Sequence, residues 1–159
     1  MLKLIIIWTG IFLLPSQALA QPVMLKSIDL NELNLLCSPE SDKVVIVNFW
    51  ASWCGPGIEE LPYFKKLKKE MPSIKVVLVN LDFENDVERN VSPVLIKGQY
   101  SSLENLRLTG LKADDWMPLA DWDWSGAISA TLILASGKKK FIEQKFENYS
   151  ALKAAIQQL

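Results

Sequence analysis

From Val44 onward the chain alternates short apolar runs with longer stretches of helical spacing. Val44 to Trp50 reads VVIVNFW and Ile74 to Leu81 reads IKVVLVNL. Both are nearly unbroken β-branched and aromatic runs, the pattern of strands buried on both faces. Between them, Leu61, Phe64, Leu67 and Met71 recur at helical intervals, with Lys65, Lys66, Lys68, Lys69 and Glu70 mostly turned away as a solvated face. This predicts a helix from about Ile58 to Met71, ended by Pro72, with Ala51 to Gly57 as the loop before it. Upstream, Val23 to Ile28 suits a short strand. Asp29 and Glu32 have the spacing of a capping box, and Leu30, Leu33 and Leu36 space a helix ending near Ser38-Pro39. Downstream, Asp82 to Asn85 reads as a loop and Asp86 to about Gly98 as a helix broken or kinked at Pro93. Leu103 to Leu108 reads as a third parallel strand, and Asp114 to Trp124 as irregular chain with at most one helical turn. Ala130 to Ala135 and Lys140 to Phe146 read as strands around Ser136-Gly137-Lys138, and Ser150 to Leu159 as a closing helix. Strands alternating with helices and then a hairpin predict an α/β fold, with a central mixed sheet flanked by helices on both faces.

Residues 1–20 follow a different pattern. Lys3 precedes an apolar run from Leu4 to Leu14, Pro15 to Gln17 break it, and Ala18-Leu19-Ala20 supplies small residues at a cleavage position. This is the plan of a secretory signal peptide cut before Gln21, leaving a domain over 21–159. The run is shorter than the ~20 apolar residues of a membrane span, so no stable anchor is expected after cleavage. The protein is expected to be periplasmic or secreted.

Composition narrows the chemistry. The net charge of −1 carries no nucleic-acid footprint. There is no histidine and there are two cysteines, which removes the commonest general base and leaves too few ligands for a zinc site; no metal or other cofactor is expected. Cys37 and Cys54 flank the Val44–Trp50 strand, which alone spans about 20 Å. A disulfide needs Cα atoms within about 7 Å. The two are therefore read as unpaired, with Cys37 a small buried hydrophobe at a helix end.

The chemistry centres on Asn48-Phe49-Trp50-Ala51-Ser52-Trp53-Cys54-Gly55-Pro56-Gly57. Cys54 falls where a buried strand hands over to a helix, and unpaired N–H groups with the positive end of the helix dipole favour a thiolate there. Trp53 shields one side of the sulfur and Pro56 stiffens the turn.

This segment closely resembles the thioredoxin superfamily, and most of all its exported TlpA-like branch, whose pattern runs F-W-A-x-W-C-x-P-C-x-x-E-x-P. Phe49, Trp50, Ala51, Trp53, Cys54, Pro56, Glu60 and Pro62 match in order and spacing, and Gly57 stands where the second cysteine belongs. The stretch from Gly126 to Leu134 resembles, more loosely, the region where that family places a cis-proline before a strand. The resemblance implies a thioredoxin-like fold and disulfide exchange, in which the first cysteine attacks and the second resolves the mixed disulfide. Gly57 has no thiol, so dithiol cycling within the loop is excluded. An outside protein thiol or low-molecular-weight thiol must finish any exchange begun at Cys54. By the same resemblance Ile128, Ser129 and Ala130 line the substrate groove. Ser129 occupies the proline position; a non-proline cis bond costs roughly 2.5–4 kcal/mol, so the Ile128–Ser129 bond is expected to be trans, its hydroxyl turned toward Cys54. Asn48 replaces the buried acid of cytoplasmic thioredoxins. Glu60 either tunes Cys54 electrostatically or merely favours the first half of its helix. Pro62 marks the family's helix kink.

Three functional classes follow. The chain is a monothiol oxidoreductase, or a redox-silent binding module built on the same groove, or, least supported, a peroxide-reducing enzyme with Cys54 as the oxidised thiol. Trp116, Trp122 and Trp124 form either a peptide-binding surface or a cap on the core.

Overall fold

The computed structural model describes residues 25–38 and 43–159. The expected signal peptide and Val23-Met24 lie outside them. Strands β1 (Leu25–Ile28), β2 (Val45–Trp50), β3 (Lys75–Asn80), β4 (Glu104–Leu108), β5 (Ala130–Ala135) and β6 (Lys138–Ile142) form one mixed sheet in the order β1-β4-β3-β2-β5-β6. The first four strands in that order run parallel; β5 lies antiparallel to β2, and β6 to β5.

Period-two alternation along β2 and β3 builds two cores. Ile46, Trp50, Val76 and Leu78 face one layer with α2 (Gly55–Glu70), α3 (Ser92–Gly98) and α5 (Tyr149–Gln157). Val45, Val47, Phe49, Val77 and Val79 face the other, with α1 (Leu30–Leu36) and α4 (Ala113–Ala120). Both central strands are therefore buried on both sides, as their apolar runs require. The capping box at Asp29 and Glu32 forms as its spacing predicts. Among the described residues no helix is long and apolar enough to cross a membrane.

Four boundaries differ from the sequence reading. Helix α2 begins at Gly55 with Cys54 as its N-cap, so Gly57 belongs to the first helical turn and not to a loop. The stretch expected as a helix from Asp86 to Gly98 is helical and changes winding beside Pro93: a 3-10 turn (Glu84–Asp86) and a π-helical turn (Val87–Val91) lead into α3, with Pro93 in its first turn. The segment taken as irregular holds α4, two turns long, with Pro118 inside it. Trp116 and Ala120, four residues apart, turn the same face of α4 into the core. The hairpin turn is only Ser136-Gly137, both with positive φ (50° and 78°), as a two-residue turn between twisted strands needs. Lys138, Lys139 and Lys140 therefore start β6, which ends at Ile142 and not at the expected Phe146, and edge lysines of this kind discourage further strand pairing.

Candidate functional site

Three segments meet at one end of the central strands: the turn after β2, the turn after β3, and the chain entering β5. The first carries Cys54. Its backbone is extended (φ −99°, ψ 94°), and its carbonyl accepts from the Ile58 N–H at 3.1 Å, the opening bond of α2. The side chain makes no capping bond to the helix. Its Sγ donates to the Ile128 carbonyl at 3.2 Å instead. Only 9% of Cys54 is exposed, against 65% of neighbouring Trp53. Gly55 and Pro56 are exposed, while Gly57 is buried. A Cβ placed on Gly57 lies 3.6 Å from Cys54 Sγ and 3.6 Å from Ser129 Cβ, so the sulfur and Ser129 wall one small hollow.

Both cysteines are free. Cys37 lies in the α1/α4 core, where burial pushes its thiol up to about 12 and keeps it in the unreactive form.

The Ile128–Ser129 bond is cis, against the expected trans. That expectation weighed the isolated bond and left out the contacts on either side of it. The Ile128 carbonyl receives Cys54 Sγ, and the Ser129 hydroxyl donates to Glu60 Oε1 rather than approaching the sulfur. Of the residues expected to line a groove, Ile128 is half-buried, whereas Ser129 and Ala130 are buried.

Glu60 is fully buried beneath this loop. Its Oε1 also accepts from Asn48 Nδ2 at 2.9 Å, and its Oε2 accepts from the Phe146 N–H at 2.9 Å. Burial raises its carboxyl to about 7, opposed by the Phe146 and Asn48 hydrogen bonds and by the charge of Lys145. Spacing could have signalled this placement: Gly57, Glu60, Phe64 and Leu67 share the buried face of α2. Asn48 also donates to the Thr131 hydroxyl at 3.1 Å, tying β2 to β5 below the site.

The sequence reading missed a second carboxylate. Asp82, at the end of β3, is buried and accepts from the Ser52 N–H at 2.7 Å, from the Ser52 hydroxyl and from Asn80 Nδ2 at 2.7 Å. It pins the turn that presents Trp53 and Cys54. Ser52→Ala, which removes one charge-assisted bond, is expected to lower stability by about 1–3 kcal/mol, read as a shift in urea midpoint at unchanged slope.

The three tryptophans separate. Trp116 and Trp124 are buried and their rings meet Phe49 at 5.9 and 5.0 Å, so these two cap the core. Trp122 is 85% exposed.

Known proteins agree with this geometry. A short stretch is 46% identical over 44 residues to thioredoxin of Rickettsia typhi, covering 27% of this chain and 42% of that protein. Another is 42% identical over 50 residues to the thioredoxin-like protein YneN of Bacillus subtilis, covering 31% and 29%. The chain thus spans less than half the length of these curated relatives. Among solved structures, a thioredoxin-related protein from Neisseria meningitidis superposes with a TM-score of 0.58 at 26% identity, covering 74% of this chain and 85% of that one. A secreted Mycobacterium tuberculosis disulfide oxidoreductase homologous to E. coli DsbE superposes at 0.57 with 16% identity, covering 75% and 84%. At that identity the likeness is one of fold. The thioredoxin family model matches residues 17–97, half of the chain and all of the Cys54 loop and α2, and the chain belongs to the thioredoxin family.

Proposed function

We propose that this chain is an exported, TlpA-like thiol–disulfide exchange protein that works through the single thiol of Cys54. The observation that carries the reading is the hollow beside the sulfur: the position 3.6 Å from Sγ belongs to a glycine, and the chain's other thiol is buried in the opposite core. The Cys54 thiolate attacks a partner's disulfide, an S–S bond forms to Cys54, and the partner's own S–S bond breaks. The departing thiolate takes a proton. A second thiol, from a protein or a small molecule, then attacks the mixed disulfide and returns Cys54 to the thiol. The only electrons exchanged are those of the thiols, so no metal or other cofactor enters the reaction. The work takes place in the periplasm or outside the cell, after removal of residues 1–20.

The test uses a Cys37→Ala chain. Alkylation of Cys54 much faster below pH 8 than that of a free cysteine peptide, together with a mixed disulfide seen by intact mass after adding a peptide disulfide, is the expected result. An ordinary alkylation rate with no mixed disulfide would overturn the reading. That outcome favours a redox-silent binding module instead, the use suggested by a 9% exposed sulfur beside an exposed Trp53, with Phe83 (81%) and Trp122 also open to solvent.

A further inference from the structure

We propose that a basic groove on the outer face of α2 docks an acidic segment of a partner polypeptide, with one aromatic side chain of that segment as its anchor. The inference makes no use of Cys54 and stands apart from the exchange reading.

The groove has a volume of about 340 Å³ and is lined by Pro62, Lys65, Lys66 and Lys69 of α2 and by Gly98 and Tyr100. Positions 62, 65, 66 and 69 recur at helical intervals and form one stripe of α2. The opposite wall depends on a backbone turn. Gln99 is left-handed (φ 53°), and Tyr100 folds back on Gly98 so closely that a β-carbon there would run into its ring. Glycine lets the two meet. The floor is mostly apolar, made by a proline ring, glycine backbone and a tyrosine ring.

The rim is positive. Lys65 is half-buried rather than extended into solvent: its Nζ donates to the Gly98 carbonyl at 2.8 Å and lies 5.9 Å from the Tyr100 ring centre. Two N–H groups of that ammonium remain for a ligand. Lys66 reaches Glu70 only at 3.8 Å with both side chains exposed, a contact worth little. Among the described residues neither Lys65 nor Lys69 has an ion pair. Three ammonium groups thus surround an apolar floor without a matching set of carboxylates, in a chain whose net charge is −1.

An apolar floor inside a positive rim is complementary to an apolar side chain flanked by carboxylates. The volume lies at the small end of ligand pockets, about 300–1,000 Å³, so one large side chain fills much of it. Aromatic anchors seated in such pockets dominate peptide binding. An anionic membrane fits less well: it would meet a broad area of the protein, and the overall negative charge opposes that approach.

The probe is the peptide Asp-Glu-Phe-Glu-Asp, titrated to millimolar concentration into the isotope-labelled chain at low salt and followed by backbone amide shifts in NMR. Saturable shifts at Lys65, Lys66, Lys69, Gly98 and Tyr100 are expected, weakened in about 0.5 M NaCl. Replacing the peptide's phenylalanine by alanine is expected to weaken binding about 10-fold, since the anchor's apolar burial is lost. Lys66→Gln together with Lys69→Gln, both at exposed positions, is expected to weaken it about 5-fold, and Lys112→Gln, beside the other core, to leave it unchanged. No shifts in the groove at millimolar peptide, or equal binding by the alanine peptide or by the double lysine variant, would overturn the proposal. Two rival occupants would overturn it as well. Groove shifts given by phosphatidylglycerol vesicles and not by the peptide assign the face to a membrane; groove shifts on concentrating the chain alone assign it to a second copy. Alkylating Cys54 beforehand is expected to leave the peptide shifts in place, so a failure of disulfide exchange bears on Cys54 and not on the groove.

Discussion

Gly57→Cys is expected to close a disulfide with Cys54 and to convert slow, externally resolved exchange into intramolecular cycling. The added Cβ lies 3.8 Å from Cys54 Cβ, the separation at which disulfides are commonly built, about 3.8 Å. Its contacts with Cys54 Sγ and Ser129 Cβ, both 3.6 Å, are ordinary van der Waals distances, so the backbone need not move. Position 57 lies in the first turn of α2, where a β-carbon is no hindrance and glycine is the poorer helix former by up to about 1 kcal/mol. A thiol held there has an effective molarity of the order of 10⁵ M, whereas external thiols act at millimolar levels. Release of a preformed Cys54 mixed disulfide is expected to quicken by at least about 100-fold and to lose its dependence on added thiol. Single-turnover quenching with mass detection measures this. Persistence of two free thiols after oxidation of Gly57→Cys in the Cys37→Ala chain would refute the geometry. Disulfide formation without faster release would instead point to the Ser129 side of the hollow as the obstacle.

The second large effect is a dependence of stability on pH that comes from Glu60. Its carboxyl titrates at about 7 in the folded chain because burial penalises the charge, against an ordinary value of 4.5. Between those two values the folded state holds a proton that the unfolded state has lost. Stability therefore falls as pH rises from about 4.5 to 7 and levels off above, the reverse of a salt-bridged carboxylate. The shift corresponds to about 3 kcal/mol. Urea denaturation at half-unit pH steps is expected to show this decline in the parent and to lose it in Glu60→Gln. The slope is the diagnostic, since Gln keeps one acceptor oxygen for the Asn48, Ser129 and Phe146 donors and lowers stability at every pH. A parent curve that is flat from pH 5 to 7, or one that declines equally in Glu60→Gln, would show that the carboxyl is ionised at no cost.

Both effects arise at positions that the chain reveals unequally. Gly57 declares itself: its place in the F-W-A-x-W-C-x-P-C pattern marks the missing thiol with no structure at hand. Glu60 does so only in part. Its helical phase with Phe64 and Leu67 points it inward, but its partners come from residues 48, 129 and 146, which only the folded sheet brings together. Asp82 was hidden for the same reason, since Ser52 lies thirty residues away.

Local pattern was enough for the elements whose burial is uniform. Unbroken apolar runs made β2 and β3, and spaced stripes made α1 and α2, the first with a capping box, because burial of those faces is the dominant favourable term wherever the chain goes. It was insufficient where one local preference met a distant contact. Pro118 and paired aspartates obscured α4, whose Trp116 and Ala120 count only once Phe49 is there to receive them. The lysines hid only the bounds of β6, which starts two residues before the expected Lys140 because an edge strand needs just one partner. The conformation of Ile128–Ser129 and the direction of the Ser129 hydroxyl belong to the same class. Composition and spacing along the chain set which groups exist and which face of an element they occupy; whether a sulfur, a hydroxyl and a carboxyl end up within reach of one another depends on how separate strands register across the sheet, and that energy is not local to any of them.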